Sequence, residues 1–176
     1  DLQDAGFASL AVHSQAPDRG TYLRRPDWGR SLAPESTRLL REAAPGLWAP
    51  RPRLALVLAD GLSSLATDSH GLHMLQALLP YFPDLRSQPV IVASQARVAL
   101  GDEIGHLLGA EQVVVMIGER PGLSSPDSLG LYLTAGPRPG LTDAQRNCIS
   151  NVRPEGLSYQ DAARKLAFLI AGALKL

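Results

Sequence analysis

The strongest constraint on the fold is residues 113–117, Val-Val-Val-Met-Ile, an apolar, largely β-branched run with no alternation. A strand with one face in water alternates apolar and polar residues, so an uninterrupted run requires apolar cover on both faces. Residues 54–59, Leu-Ala-Leu-Val-Leu-Ala, form a second such run; residues 90–93 form a shorter one and residues 129–134 a weaker one. Helical patterns lie between them, across 65–81 and across 101–110, where Ile104, Leu107 and Leu108 share a face. Apolar runs alternating with helices predict an α/β fold with a mostly parallel sheet flanked by helices.

The two ends of the chain read differently. Pro17, Pro26, Pro34, Pro45 and Pro50 punctuate the first fifty residues, where only 34–44 reads as a helix, with Leu39 and Leu40 on its apolar side. Residues 48–53, Trp-Ala-Pro-Arg-Pro-Arg, read as a stiff linker, because proline at two alternate positions fixes the backbone. The expected organisation is an irregular and helical segment over 1–50 and one α/β domain over 51–176. At the C-terminus, Ser158 with Asp161 three residues on signals a helix start. Ala162, Leu166, Leu169, Ile170, Ala173 and Leu174 then form its apolar stripe.

Composition excludes several function classes. Of the 176 residues 45% are hydrophobic, enough for a core, and the 17 basic residues balance the 17 acidic ones. A chain without excess positive charge lacks the main driving force for nucleic-acid binding. No apolar run approaches the roughly 20 residues that span a bilayer, so no membrane partner is expected. The single cysteine, Cys148, permits no intrachain disulfide and fits a reducing compartment, the cytoplasm. Asp1-Leu2-Gln3-Asp4 lacks the basic and apolar regions of a signal peptide, and no initiator Met precedes it, so the chain is expected to start inside a longer gene product.

Ligands of open α/β sheets bind outside the carboxyl ends of the strands. Two strand ends qualify: Asp60-Gly61-Leu62-Ser63-Ser64, and the longer Gly118-Glu119-Arg120-Pro121-Gly122-Leu123-Ser124-Ser125-Pro126-Asp127-Ser128. The second combines glycines for close backbone approach with two prolines, hydroxyls and a charged pair, a set suited to a polar ligand tail or equally to a tight connector. Asp68-Ser69-His70 resembles the start of the Asp-x-His-x-x-Gly motif of cobalamin proteins whose histidine ligates cobalt. The glycine position is His73, however, and the segment falls in a helical pattern, so His70 is expected on a helix surface. Phosphate-binding glycine motifs, a nucleophile elbow and zinc-ligand spacing are all missing. Cys148, in Arg146-Asn147-Cys148-Ile149-Ser150-Asn151, has no visible partner base; its polar, turn-prone surroundings suit a pocket lining.

Gly118-Glu119-Arg120-Pro121-Gly122-Leu123 with the following Ser-Ser-Pro-Asp-Ser-Leu, and Arg146-Asn147-Cys148-Ile149-Ser150-Asn151, closely resemble the small subunit of ethanolamine ammonia-lyase. The likeness extends to Tyr22-Leu23-Arg24-Arg25-Pro26-Asp27-Trp28-Gly29-Arg30, Ala59-Asp60-Gly61-Leu62-Ser63, Arg97-Val98 and Asp102-Glu103-Ile104-Gly105. This resemblance implies a Rossmann-like domain that helps to hold adenosylcobalamin against a large TIM-barrel subunit carrying the catalytic side chains. Together the subunits would convert ethanolamine to acetaldehyde and ammonia. It implies cofactor contacts at Val98, Glu119 and Cys148, with Arg97 as a weaker addition, and a lower cobalt ligand supplied by the cofactor itself. It further implies a hetero-oligomer, free in the cytoplasm or enclosed in a bacterial microcompartment. The family's additional N-terminal segment is not in this sequence. A purely structural subunit and a stand-alone nucleotide-binding domain are the alternatives.

Overall fold

Apolar runs become strands buried on both sides. The computed structural model describes residues 2–47, 54–119 and 127–173; the linker-like residues 48–53, the loop residues 120–126 and Leu174 lie outside them. Among the described residues the elements run β1 (Ser9–His13), α1 (Arg19–Arg24), α2 (Pro34–Leu47), β2 (Leu54–Ala59), α3 (Ser64–Leu78), β3 (Val90–Ser94), α4 (Leu100–Leu108), β4 (Gln112–Gly118), β5 (Leu129–Ala135), β6 (Arg146–Val152) and α5 (Tyr159–Ala173). The strands form one sheet in the order β1-β3-β2-β4-β5-β6. β1, β3, β2 and β4 are parallel, whereas β5 and β6 return antiparallel. The connection from 119 to 128 is shorter than the dozen or more residues that a parallel crossover needs, which is why the parallel order ends at β4.

Strand periodicity divides the apolar residues between two cores. Leu54, Leu56 and Leu58 of β2, with Val114 and Met116 of β4, join Met74, Leu75 and Leu78 of α3 and Ala162, Leu166 and Ile170 of α5. On the other face Ala55, Val57 and Ala59, with Val113, Val115 and Ile117, meet Leu40 of α2 and Leu100, Ile104 and Leu108 of α4. Phe7 and Val12, from the proline-punctuated N-terminal residues, join one core each, and β1 pairs with β3 along its whole length. In α2 the expected apolar pair splits: Leu40 is fully buried, whereas Leu39 is 39% exposed. At α5 the expected cap is present, with the Asp161 backbone N–H donating to Ser158 Oγ at 3.1 Å and that hydroxyl donating to Asp161 at 2.9 Å.

The two faces are covered unequally. α5 packs beneath β5 and β6 and α3 beneath β2, β4 and β5, while α2 and α4 lie over the parallel strands. On the upper side of β6, Cys148 and Ser150 are therefore exposed. Among the described residues no helix is long and apolar enough to cross a membrane.

Candidate functional site

A cleft opens where β2, β3 and β4 end, and its rim is built by loops that hold one another. Asp60, directly after β2, accepts hydrogen bonds from the backbone N–H groups of Gln95 (2.8 Å) and Ala96 (3.0 Å), fixing the chain that leaves β3. Gly61 has φ +55°, and a Cβ there would overlap the Gly118 carbonyl at the end of β4. Only glycine meets both demands. That close approach lets the Leu62 N–H donate to Gly118 O at 2.9 Å. Arg19 closes the outside of the same loop, donating to the carbonyls of Gly61 (2.7 Å) and Leu62 (2.9 Å).

Tyr22 forms one wall. Its hydroxyl donates to Ala96 O at 3.1 Å, and the guanidinium groups of Arg19 (4.7 Å) and Arg97 (4.3 Å) both lie over its buried ring. Burial pushes the phenol pKa up, against the pull of Arg97, so Tyr22 remains a neutral donor. Arg97 Nε is buried and has no hydrogen-bond partner among the described residues; the guanidinium is held by stacking on Tyr22 and by a long hydrogen bond from Nη2 to the Tyr22 carbonyl at 3.3 Å.

The resulting cavity measures about 400 Å³ and is lined by residues that include Arg97, Val98, Gly118, Glu119, Tyr132 and Ser150. Val98 and Glu119 thus come together from the ends of β3 and β4, with Arg97 beside them. Cys148 lies on β6, directly opposite Tyr132 of β5, and is exposed two residues from the lining Ser150. Sequence reading placed Cys148 in a turn-prone segment; it stands instead in an edge strand whose buried anchors are Ile149 and Val152. Tyr132 was missed. Its hydroxyl donates to Glu119 Oε1 at 2.6 Å. Burial, then the hydrogen bond to Glu119, then that to Cys148 raise its pKa well above the ordinary tyrosine range, so the phenol stays protonated. The alternation in Leu129-Gly130-Leu131-Tyr132-Leu133-Thr134 was the available signal: Leu129, Leu131 and Leu133 face the α3–α5 core, so Gly130, Tyr132 and Thr134 face the cleft side.

Further along this face, Arg146 and Asp102 form a two-pronged ion pair at 2.6 and 2.8 Å, with side chains only 2% and 3% exposed. Arg146 also donates to Thr134 Oγ1 at 3.1 Å, so α4, β5 and β6 are pinned together beside the cleft.

His70 departs from expectation. It is 6% exposed rather than on the surface, with Nδ1 2.7 Å from the Tyr159 hydroxyl and Nε2 3.2 Å from Asp127. The surface assignment failed because α3 is flanked by α5 and by the start of β5, which bury this side of the helix. Arg153 reaches Asp127 at 3.3 Å. The hydrogen bond from His70 leads the effects that lower the Asp127 pKa. No cluster of three potential metal ligands occurs among the described residues.

The whole sequence, residues 1–176, matches the family described as ethanolamine ammonia-lyase light chain (EutC). The chain belongs to the ethanolamine ammonia-lyase light chain family. Among similar proteins are the ethanolamine ammonia-lyase small subunits of Azotobacter vinelandii (54% identical over 176 residues, 99% of this chain and 65% of the relative) and Pseudomonas fluorescens strain Pf0-1 (54% over 179 residues, 99% and 64%). That of Xanthomonas campestris pv. campestris strain B100 is 51% identical over 176 residues, covering 99% and 64%. The chain thus spans just under two thirds of the length of these light-chain relatives.

Proposed function

We propose that this chain is the cofactor-holding part of the small subunit of an adenosylcobalamin-dependent ethanolamine ammonia-lyase, with residues 51–176 acting as a Rossmann-like cobalamin-binding domain. The observation that carries this reading is the convergence of Val98 and Glu119 on one strand-end cleft, with Tyr132 joining Glu119 to the strand of Cys148.

The residues fit such a group. A cavity of about 400 Å³ takes only one edge of a corrin, as expected of a site shared with a second chain. Its polar groups are hydrogen-bonding rather than metal-ligating, which suits amide arms and leaves the lower cobalt ligand to the cofactor. Val98 would pack against the macrocycle edge, Glu119 would accept from an amide N–H, and Cys148 would line the exposed flank. When bound, adenosylcobalamin supplies the radical that starts ethanolamine cleavage. This chain binds and orients the group and excludes water; no side chain of it is assigned to the chemistry. The exposed side of β6, with Cys148 and Ser150, is where the large subunit, a TIM barrel carrying the catalytic groups, would close the site. The hetero-oligomer works in the cytoplasm, free or inside a microcompartment.

The test is ammonia release from ethanolamine with adenosylcobalamin, using the full-length small subunit with and without its large subunit, together with cobalamin affinity of the complex. Activity that requires both chains, and affinity that falls about tenfold or more in Glu119→Ala, is the expected result. Unchanged affinity in both Glu119→Ala and Cys148→Ala would leave a purely structural subunit.

A further inference from the structure

Glu119 cannot take its observed position on any ordinary strand. Its backbone is fixed first: the Glu119 N–H donates to Ser128 O at 3.0 Å, continuing the β4–β5 ladder by one step. Its side chain then folds back over β5 at Gly130. A Cβ on Gly130 would lie 2.5 Å from Oε1, 2.6 Å from Cδ and 2.9 Å from Cγ of Glu119. The obstruction extends back to Cγ, so a small rotation of the carboxylate alone cannot relieve it. Two residues along the same face, the Tyr132 hydroxyl meets Oε1 at 2.6 Å. Gly130 therefore makes the seat and Tyr132 closes it.

We propose that Gly130 and Tyr132 are positioning residues that hold the Glu119 carboxylate as a preset acceptor for an amide N–H of the corrin. This rests on the reading of Glu119 as a cofactor contact. Tyr132 engages one oxygen and fixes the plane of the carboxylate, so that binding need not freeze a free side chain. As a phenol kept neutral by burial and by the neighbouring anion, it donates at every working pH. It also stands directly opposite Cys148 across the β5–β6 pair, next to a second proposed contact position. Tyr132 acts through Glu119 and needs no contact with the ligand.

The experiment is a double-mutant cycle on the complex of full-length small subunit with large subunit, reading equilibrium affinity for cyanocobalamin. Tyr132→Phe removes one oxygen and keeps the ring packing, so folding is preserved even where Gly130→Ala fails to assemble. Glu119→Ala and Tyr132→Phe are each expected to weaken binding about tenfold. The double variant should bind no worse than Glu119→Ala alone, because the hydroxyl has no function without its carboxylate. With adenosylcobalamin, the Tyr132→Phe effect should fall on the cofactor KM rather than on kcat. If Glu119→Ala binds normally, the contact reading falls and the seat with it. If Glu119→Ala weakens binding while Tyr132→Phe binds as wild type, or if the two losses multiply in the double variant, the seat alone is overturned.

Discussion

Asp102→Ala tests whether the Arg146–Asp102 pair holds the cleft-side face together. The substitution leaves Arg146, 2% exposed, without the carboxylate that meets its two terminal nitrogens at 2.6 and 2.8 Å. The remaining partners are weak replacements: Thr134 Oγ1 at 3.1 Å, Leu141 O at 3.3 Å, and Asp143 at 3.3 Å. Asp143 is 94% exposed, so water screens its charge. Breaking a buried pair at one end costs about 3–5 kcal/mol, and the residual partners place this case near the lower figure. With a urea slope of about 2 kcal/mol per molar, the midpoint should fall by roughly 1.5 M. The assay is urea unfolding of the full-length chain followed by far-ultraviolet circular dichroism, with an unchanged slope confirming that stability has shifted. Replacing both partners, as Asp102→Leu with Arg146→Met, should recover most of the loss, because no charge is then stranded. A midpoint shift below about 0.5 M for Asp102→Ala, equal to about 1 kcal/mol at that slope, would refute the argument.

Two further outcomes follow from the loops. Asp127 has a folded pKa below its ordinary value of 3.8, chiefly through His70. Its contribution to stability is therefore complete above that ordinary value and is lost as pH falls through the lower folded one. Thermal melts from pH 7 to pH 2 should show a steep acid limb in the wild type and a shallower one in Asp127→Asn; parallel limbs would contradict the assignment. Gly61→Ala combines a φ of +55° with overlap onto the Gly118 carbonyl, and should cost about 2 kcal/mol or more in chemical unfolding. On the proposed function it should also weaken cobalamin binding by the complex, since Leu62 can no longer close on Gly118.

What the sequence revealed and concealed has a physical pattern. β4 and β2 were legible because burial on both faces demands continuous apolar runs, and α5 because its cap and stripe are local. β1 and β6 were not, because each is an edge strand with few side chains in a core. In β6 only Ile149 and Val152 enter the apolar core, and its polar residues read as a turn. Asn151, one residue before the end of β6, has φ +59°, a left-handed conformation that asparagine tolerates, which added to the appearance of a loop. Val98 and Glu119 could be placed at strand ends from the apolar pattern and the resemblance. Tyr132 could not be paired with Glu119, because that contact depends on β5 turning back against β4, and antiparallel return leaves no separate mark in β5 itself.

The stretches through which the chain resembles its family contribute most of the bonds of the rim. Arg19, three residues before the Tyr22 stretch, grips the 61–62 loop; Asp60 holds the backbone of 95 and 96; Leu62 bonds Gly118; Arg97 stacks on Tyr22; Asp102 pairs with Arg146. These bonds join the elements of the rim to one another instead of reaching into the cavity, so they do not have to be exchanged when a ligand arrives. A rim held in this way is formed before binding, and little ordering remains to be done by the ligand. For a group as large as the proposed corrin, which this cleft would touch along only one edge, such preorganisation would let the few proposed contacts at Val98, Glu119 and Cys148 matter. The same reasoning accounts for a proposed acceptor at Glu119 that is seated on Gly130 and closed by Tyr132: a mobile carboxylate at the mouth of a rigid cleft would discard the advantage that the rest of the rim provides.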